Sequence, residues 1–198
     1  MKDSSVRPPD GPLGVDDVVG MLCAADAATV VIDGRSGSGK STLAARMNRL
    51  WPGSALVRMD DVYPGWDGLH WATTHIESSL LRPRFEGHTG RWRSWSWPRR
   101  RPGVWHDVAA GGRLIVEGVG VLTPSSRALV DMAIWVDADD ADRKRRALGR
   151  RADDYEAHWD RWAAHEDEFI RVHRPRSCAD LLAVADGGDF RLSSRSCG

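Results

Sequence analysis

Apolar residues in this chain fall into two alternating patterns. Val15, Val18, Val19, Leu22 and Cys23 recur at the spacing of one helical face, and Leu43, Ala44, Met47 and Leu50 do so again. Between these stripes lies Thr29-Val30-Val31-Ile32-Asp33, a short β-branched run of the kind that makes a buried strand. Comparable runs at 55–59, 113–117, 132–136 and 181–185 predict four more strands, each separated by enough chain for a crossover. This order predicts an α/β fold, a parallel five-stranded sheet with helices on both faces. In such sheets ligands bind beyond the carboxyl ends of the strands. Residues 1–14, rich in proline, glycine and charge, predict a disordered leader, and 187–198 a loose tail, around one domain spanning 15–186.

The chemistry begins where the first strand ends. Gly34-Arg35-Ser36-Gly37-Ser38-Gly39-Lys40-Ser41 satisfies every fixed position of G-x-x-x-x-G-K-[ST], directly between a strand and a helix. Glycines there let the backbone wrap a phosphate with its N–H groups, and the following helix adds the positive end of its dipole. Gly34, Ser36, Gly37, Ser38, Gly39, Lys40, Ser41 and Thr42 are therefore the expected nucleotide-binding residues. Lys40 reaches the β- and γ-phosphates, and the Ser41 hydroxyl goes to Mg²⁺. The motif identifies a P-loop NTPase fold that uses ATP and Mg²⁺.

Carboxylates at strand ends come next. Asp60-Asp61 follows the second predicted strand, where one carboxylate can accept a proton from an acceptor hydroxyl or orient hydrated Mg²⁺. Adjacent side chains in an extended segment point to opposite faces, so the other caps or solvates. Glu117-Gly118 after Leu114-Ile115-Val116 stands where a carboxylate holds Mg²⁺ and glycine leaves room for substrate. The expected metal set is Ser41, Glu117 and Asp60.

Two further segments are cationic. Residues 91–105 hold Trp92, Trp95, Trp97 and Trp105 among Arg91, Arg93, Arg99, Arg100 and Arg101. Three readings stay open for them: stacking on or pairing with a small acceptor, contact with single-stranded nucleic acid, and packing of an insertion on the domain. Arg143, Arg146 and Arg150 fall on one face of a predicted lid helix at about 139–155, placed to close over a triphosphate. His158, Trp159, Trp162, His165 and Phe169 recur at helical intervals and are expected to pack.

These landmarks together resemble the uridine kinase family and its relatives, the nicotinamide riboside kinases and phosphoribulokinases, from about residue 30 to residue 180. Met59-Asp60-Asp61-Val62-Tyr63 resembles the family's Q-D-S-F-Y segment, which implies that Asp60 is the base. Glu86-Gly87-His88-Thr89 resembles the E-G-K-T stretch before a substrate-binding hairpin, and Val116-Glu117-Gly118 the F-E-G after the third strand. Trp135-Val136-Asp137-Ala138-Asp139 with Arg143 and Arg146 is similar to the family's lid entry. Glu166 to Phe169 and Ala179-Asp180-Leu181 are similar to its F-E-E-F and Y-A-D-V elements. The resemblance implies a kinase with Asp60, Lys40 and Arg146 in catalysis and an acceptor site in an insertion at about 63–106. Expected substrate contacts there are Asp61, Tyr63, Trp66, Trp95, Trp97 and Arg101, with Glu117 beside them. The acceptor-reading parts depart from the family: Trp95-Ser96-Trp97 stands where Y-D-F contacts a nucleoside, and Pro64-Gly65-Trp66-Asp67-Gly68-Leu69 replaces F-D-x-P-x-A-F-D. A nucleotide triphosphate and a small hydroxylated molecule are the partners so implied, and a nucleotide-dependent regulator or RNA-associated ATPase is the alternative.

Composition changes this picture little. The 198 residues suit one domain, and 28 basic against 28 acidic residues imply no global attraction to nucleic acid or membrane. Met1-Lys2-Asp3-Ser4-Ser5 has no apolar signal core, so the expectation is a cytoplasmic protein. Cys23, Cys178 and Cys197 are odd in number and lack metal-ligand spacing, which predicts reduced thiols.

Overall fold

The computed structural model describes residue 6 and residues 8–150 and 155–195. Five parallel strands form the centre, in the order β3 (Ala55–Arg58), β6 (Leu114–Glu117), β2 (Thr29–Asp33), β7 (Met132–Asp137) and β8 (Leu181–Asp186). Every residue of β2 and β6 is buried, as expected of a sheet covered on both faces.

Strand alternation sorts the core into two layers. Val30 and Ile32 face one side with Ile115, Ile134 and Leu181, under α1 (Val15–Ala24) and α2 (Lys40–Leu50), which contribute Val15, Leu22, Leu43 and Met47. Val31, Val57, Val116 and Trp135 face the other, under α3 (Leu69–Ile76) and α7 (Tyr155–His173), which contribute Ala72, Ile76, Trp162 and Phe169. Between α3 and the sheet's return lie a π-helical turn (Glu77–Leu81), α4 (Arg82–Phe85) and an antiparallel hairpin of β4 (Gly90–Ser96) and β5 (Arg101–Val108). The hairpin occupies the second half of the expected insertion. Two short helices, α5 (Pro124–Arg127) and α8 (Pro175–Cys178), cap connections, and α6 (Asp140–Arg150) is the lid helix.

Both ends of the chain differ from expectation. The tail is ordered as far as it is described: Asp189–Ser194 form β9, antiparallel to β8, with Phe190 and Leu192 buried, and 196–198 lie outside the described residues. Gly187 and Gly188, both at positive φ, make the two-residue turn that folds it back. The leader is likewise ordered where it is described. Val6 is buried, and Pro12–Leu13 form β1 on the outer edge of β9, giving seven strands in this sheet among the described residues. Cys23 and Cys178 are free thiols, and Cys197 lies outside the described residues. Among the described residues no helix is long and apolar enough to cross a membrane.

Candidate active site

The loop from Gly34 to Gly39 leaves the carboxyl end of β2 and enters α2 at Lys40. Close contact excludes any larger residue at Gly34, where a Cβ would meet the Val136 carbonyl, and at Gly37. Gly37 sits at φ +80°, and a Cβ there would collide with the backbone carbonyl of Arg143 on the lid helix. Ser36, Ser38 and Lys40 are buried in the loop, and Lys40 Nζ donates to the Arg35 carbonyl at 3.1 Å. Thr42 is exposed one residue after Ser41, its amide bonded to the Gly39 carbonyl.

Asp33, the last residue of β2, anchors this loop from beneath. Its carboxylate accepts from the amides of Gly34 at 2.6 Å and Leu122 at 2.8 Å, and from Gly120 at 3.1 Å. Burial pushes its carboxyl up to about 7, against the backbone amides and the charge of Lys40, which favour the ionised form.

Two carboxylates meet the loop. Glu117 ends β6 and is buried; burial raises its carboxyl above the usual range. The charge of Lys40 and a hydrogen bond with Ser41 pull it down, and the nearby charge of Asp60 adds to the rise. Asp60 lies in a 3-10 turn, Met59–Asp61, just after β3. Gly118 makes the juxtaposition possible, because a Cβ there would strike the Met59 side chain. Glu117 and the turn carrying Asp60 therefore pack side by side.

Lys40, Ser41, Asp60 and Glu117 line one cavity of about 110 Å³, together with the rings of Tyr63, Trp66, Trp97 and Trp162. Ser36 and Gly37 of the loop also border it. Tyr63 presents its ring, since its hydroxyl donates to the Val119 carbonyl at 2.7 Å. Trp66 tilts against Trp97 at 5.2 Å and stacks on His158 at 4.9 Å. Asp61 is exposed on the same turn as Asp60 and is not among the lining residues. Trp95 lines a neighbouring cleft, and Arg101, exposed at the start of β5 opposite Ser96, lines neither.

The lid helix meets the cavity through Ala147. Arg143 is buried, with Nε on Asp140 Oδ1 at 2.5 Å, Nη1 3.9 Å from Glu166 Oε2, and its guanidinium over the Trp159 ring. Arg146 Nε donates to the Asp142 carbonyl at 3.2 Å. The side chain of Arg150 and all of Arg151 lie outside the described residues.

Residue-type reasoning assigned no role to Glu166, yet it is the clasp between α7 and the loop. Fully buried, it accepts from the Ser36 amide and the Trp162 indole N–H, both at 2.9 Å, while Arg35 lies on its other oxygen at 3.4 Å. Arg35 also pairs with Asp167. The signal is a lone carboxylate in the apolar stripe Trp159, Trp162, Glu166, Phe169. Asp33 carries a similar signal, a polar residue closing an apolar strand.

No family model and no curated protein matches the chain. Among solved structures, one described as a "possible uridine kinase" from Bacillus stearothermophilus is similar with a TM-score of 0.62 at 18% identity, covering 85% of this chain and 96% of that one. Another, a "putative fructose transport system kinase" from Silicibacter sp. TM1040, has a TM-score of 0.48 at 19% identity, covering 84% and 95%. Strand order, phosphate loop and the first of these likenesses together show that the chain has an α/β P-loop fold shared with that structure.

Proposed function

We propose that the protein is an ATP- and Mg²⁺-dependent kinase that transfers the γ-phosphoryl group to a hydroxyl of a nucleoside-like or other small acceptor. The observation that carries this reading is the convergence of Lys40, Ser41, Asp60 and Glu117 on one cavity walled by Tyr63, Trp66, Trp97 and Trp162. The description of the similar structure as a possible uridine kinase supports it.

The loop residues fit a nucleotide phosphate. Gly34, Gly37 and Gly39 hold positive φ, which turns backbone amides inward, and the buried Ser38 hydroxyl has no hydrogen-bond partner among the described residues. Lys40 and the loop amides would hold the phosphates, and Ser41 with Glu117 would hold Mg²⁺. Bound there, the metal would supply positive charge against that of the phosphate oxygens. Asp60 would hold the acceptor hydroxyl and take its proton, the aromatic rings would orient the acceptor, and Trp162 with Ala147 would keep water out. Arg143, whose backbone already packs on Gly37, and Arg146 one turn on would supply positive charge from the lid helix.

One observation favours the other reading, a regulatory or RNA-associated ATPase: the Arg91 guanidinium lies over the half-exposed Trp105 ring at 4.6 Å on the hairpin. ADP release measured across a panel of hydroxylated metabolites separates the two. A kinase gives a stimulated rate and a phosphorylated alcohol, and Asp60→Asn removes both while ATP affinity stays. Stimulation by RNA alone, with free phosphate as the product, would overturn the proposal.

A further inference from the structure

The cavity at Lys40 is small for a whole substrate pair. Small-molecule sites commonly enclose about 300–1,000 Å³, whereas this one encloses about 110 Å³. It shares two walls, Trp66 and Trp97, with a second cleft of about 590 Å³. The inner space has room for no more than the reacting end of an acceptor, and the outer cleft adjoins it through those two rings.

The outer cleft has a definite chemistry. Trp66, Trp95 and Trp97 supply aromatic faces, with His158 stacked behind Trp66. Its charged lining is Asp67, Arg100 and Arg161. Asp67 pairs with Arg161 and also accepts from His165 at 3.2 Å, so that carboxylate and that guanidinium answer each other. Arg100 has no such answer: its side chain makes no hydrogen bond, ion pair or ring contact with any described residue. Its backbone is also unusual. Arg100 sits at φ +47°, a left-handed conformation uncommon outside glycine and asparagine, with its amide bonded to the Trp97 carbonyl at 3.3 Å. The hairpin turn thus places an exposed guanidinium, without a partner among the described residues, on the lining of an aromatic cleft.

We propose that the acceptor is an elongated molecule with three parts: a hydroxyl at Asp60, a flat ring among Trp66, Trp95 and Trp97, and a carboxylate- or phosphate-type oxyanion at Arg100. This rests on the kinase reading above for the first part only. A planar group gains by stacking on the indoles, and an oxyanion gains two N–H donors from a guanidinium that has no competing partner.

A matched pair of probes tests it: para-(hydroxymethyl)benzoate and para-methylbenzyl alcohol, which share ring and hydroxyl and differ in the carboxylate. Ligand-observed NMR titration should show the anionic probe binding about tenfold more tightly. Arg100→Asn, which suits the left-handed backbone, should bring the anionic probe down to the neutral one and leave the neutral one as it was. Equal affinity of the two probes for the unmodified protein, a preference that survives Arg100→Asn, or failure of both to bind would each overturn the proposal. Absence of phosphoryl transfer to any alcohol would overturn the kinase reading instead, and would leave this binding contrast standing.

Discussion

The indole N–H of Trp97 donates to the backbone carbonyl of Asp60 at 2.8 Å. The hairpin that walls the acceptor side of the cavity is thereby tied to the turn that presents the candidate base. Trp97 faces the cavity with its ring and fixes the turn with its nitrogen, so the two roles can be separated by substitution.

Trp97→Phe keeps an aromatic wall and removes the donor. The expected result is a fall in kcat of about 3- to 10-fold with a smaller change in acceptor KM, because a lost hydrogen bond of about 1 kcal/mol misplaces the base more than it weakens stacking. Steady-state kinetics with any acceptor that stimulates ADP release measures the split. An unchanged kcat would mean that the turn holds Asp60 without help from the hairpin.

Glu166→Gln should loosen the grip of α7 on the phosphate loop. The amide retains an oxygen for Ser36 but removes the charge that faces Arg35 and the buried Arg143. Arg143 keeps Asp140, but losing the buried charge shared with Arg35 should cost about 1 kcal/mol, seen as a lower melting temperature. Added ADP should restore less stability to this variant than to the wild type, since the loop it binds is less well held. Identical melting curves would show that the clasp contributes nothing.

Much of this architecture was legible in the sequence, for definite reasons. The strands of the parallel core are short apolar runs with no competing helical period, and each appears within a residue or two of its predicted bounds. The loop at Gly34 is legible because its chemistry demands fixed residue types at fixed spacing. β9 is only faintly legible: Phe190 and Leu192 alternate with polar residues as in a half-buried strand, but two apolar residues after Gly187-Gly188 are too short a run to distinguish a hairpin from a glycine-rich end. The clasp at Glu166 was not legible, since which carboxylate faces a loop 130 residues away depends on how α7 docks and not on local pattern. The outer cleft is a tertiary feature as well. The density of tryptophan and arginine marked the hairpin, but only packing distinguishes Trp97 at the reacting cavity, Trp95 in the outer cleft and Trp92 against His106.

Asp33 predicts a pH dependence of stability. Its folded-state carboxyl titrates near 7 against 3.8 for an unperturbed aspartate, so the folded protein holds that proton more tightly than the unfolded chain. Its contribution is fully present below the unfolded value and is lost as pH rises to about 7. Asp33→Asn cannot titrate and turns an amide N–H toward the backbone donors, so it should be less stable overall. Relative to this variant, the wild type should lose stability between about pH 4 and about pH 7, as read by urea unfolding across that range. Parallel pH profiles for the two proteins would mean that Asp33 stays ionised throughout.

Lys40 is the residue on which the proposed phosphoryl transfer from ATP depends most. The most direct measurement is single-turnover transfer of labelled γ-phosphoryl from ATP with Mg²⁺ to a stimulating acceptor, by wild type and by Lys40→Ala, with a circular dichroism spectrum of each. The account predicts a native spectrum for the variant and a loss of transfer of at least about 100-fold, because Lys40 acts on phosphate charge and not on the core. Near-normal transfer by a natively folded Lys40→Ala protein would contradict it.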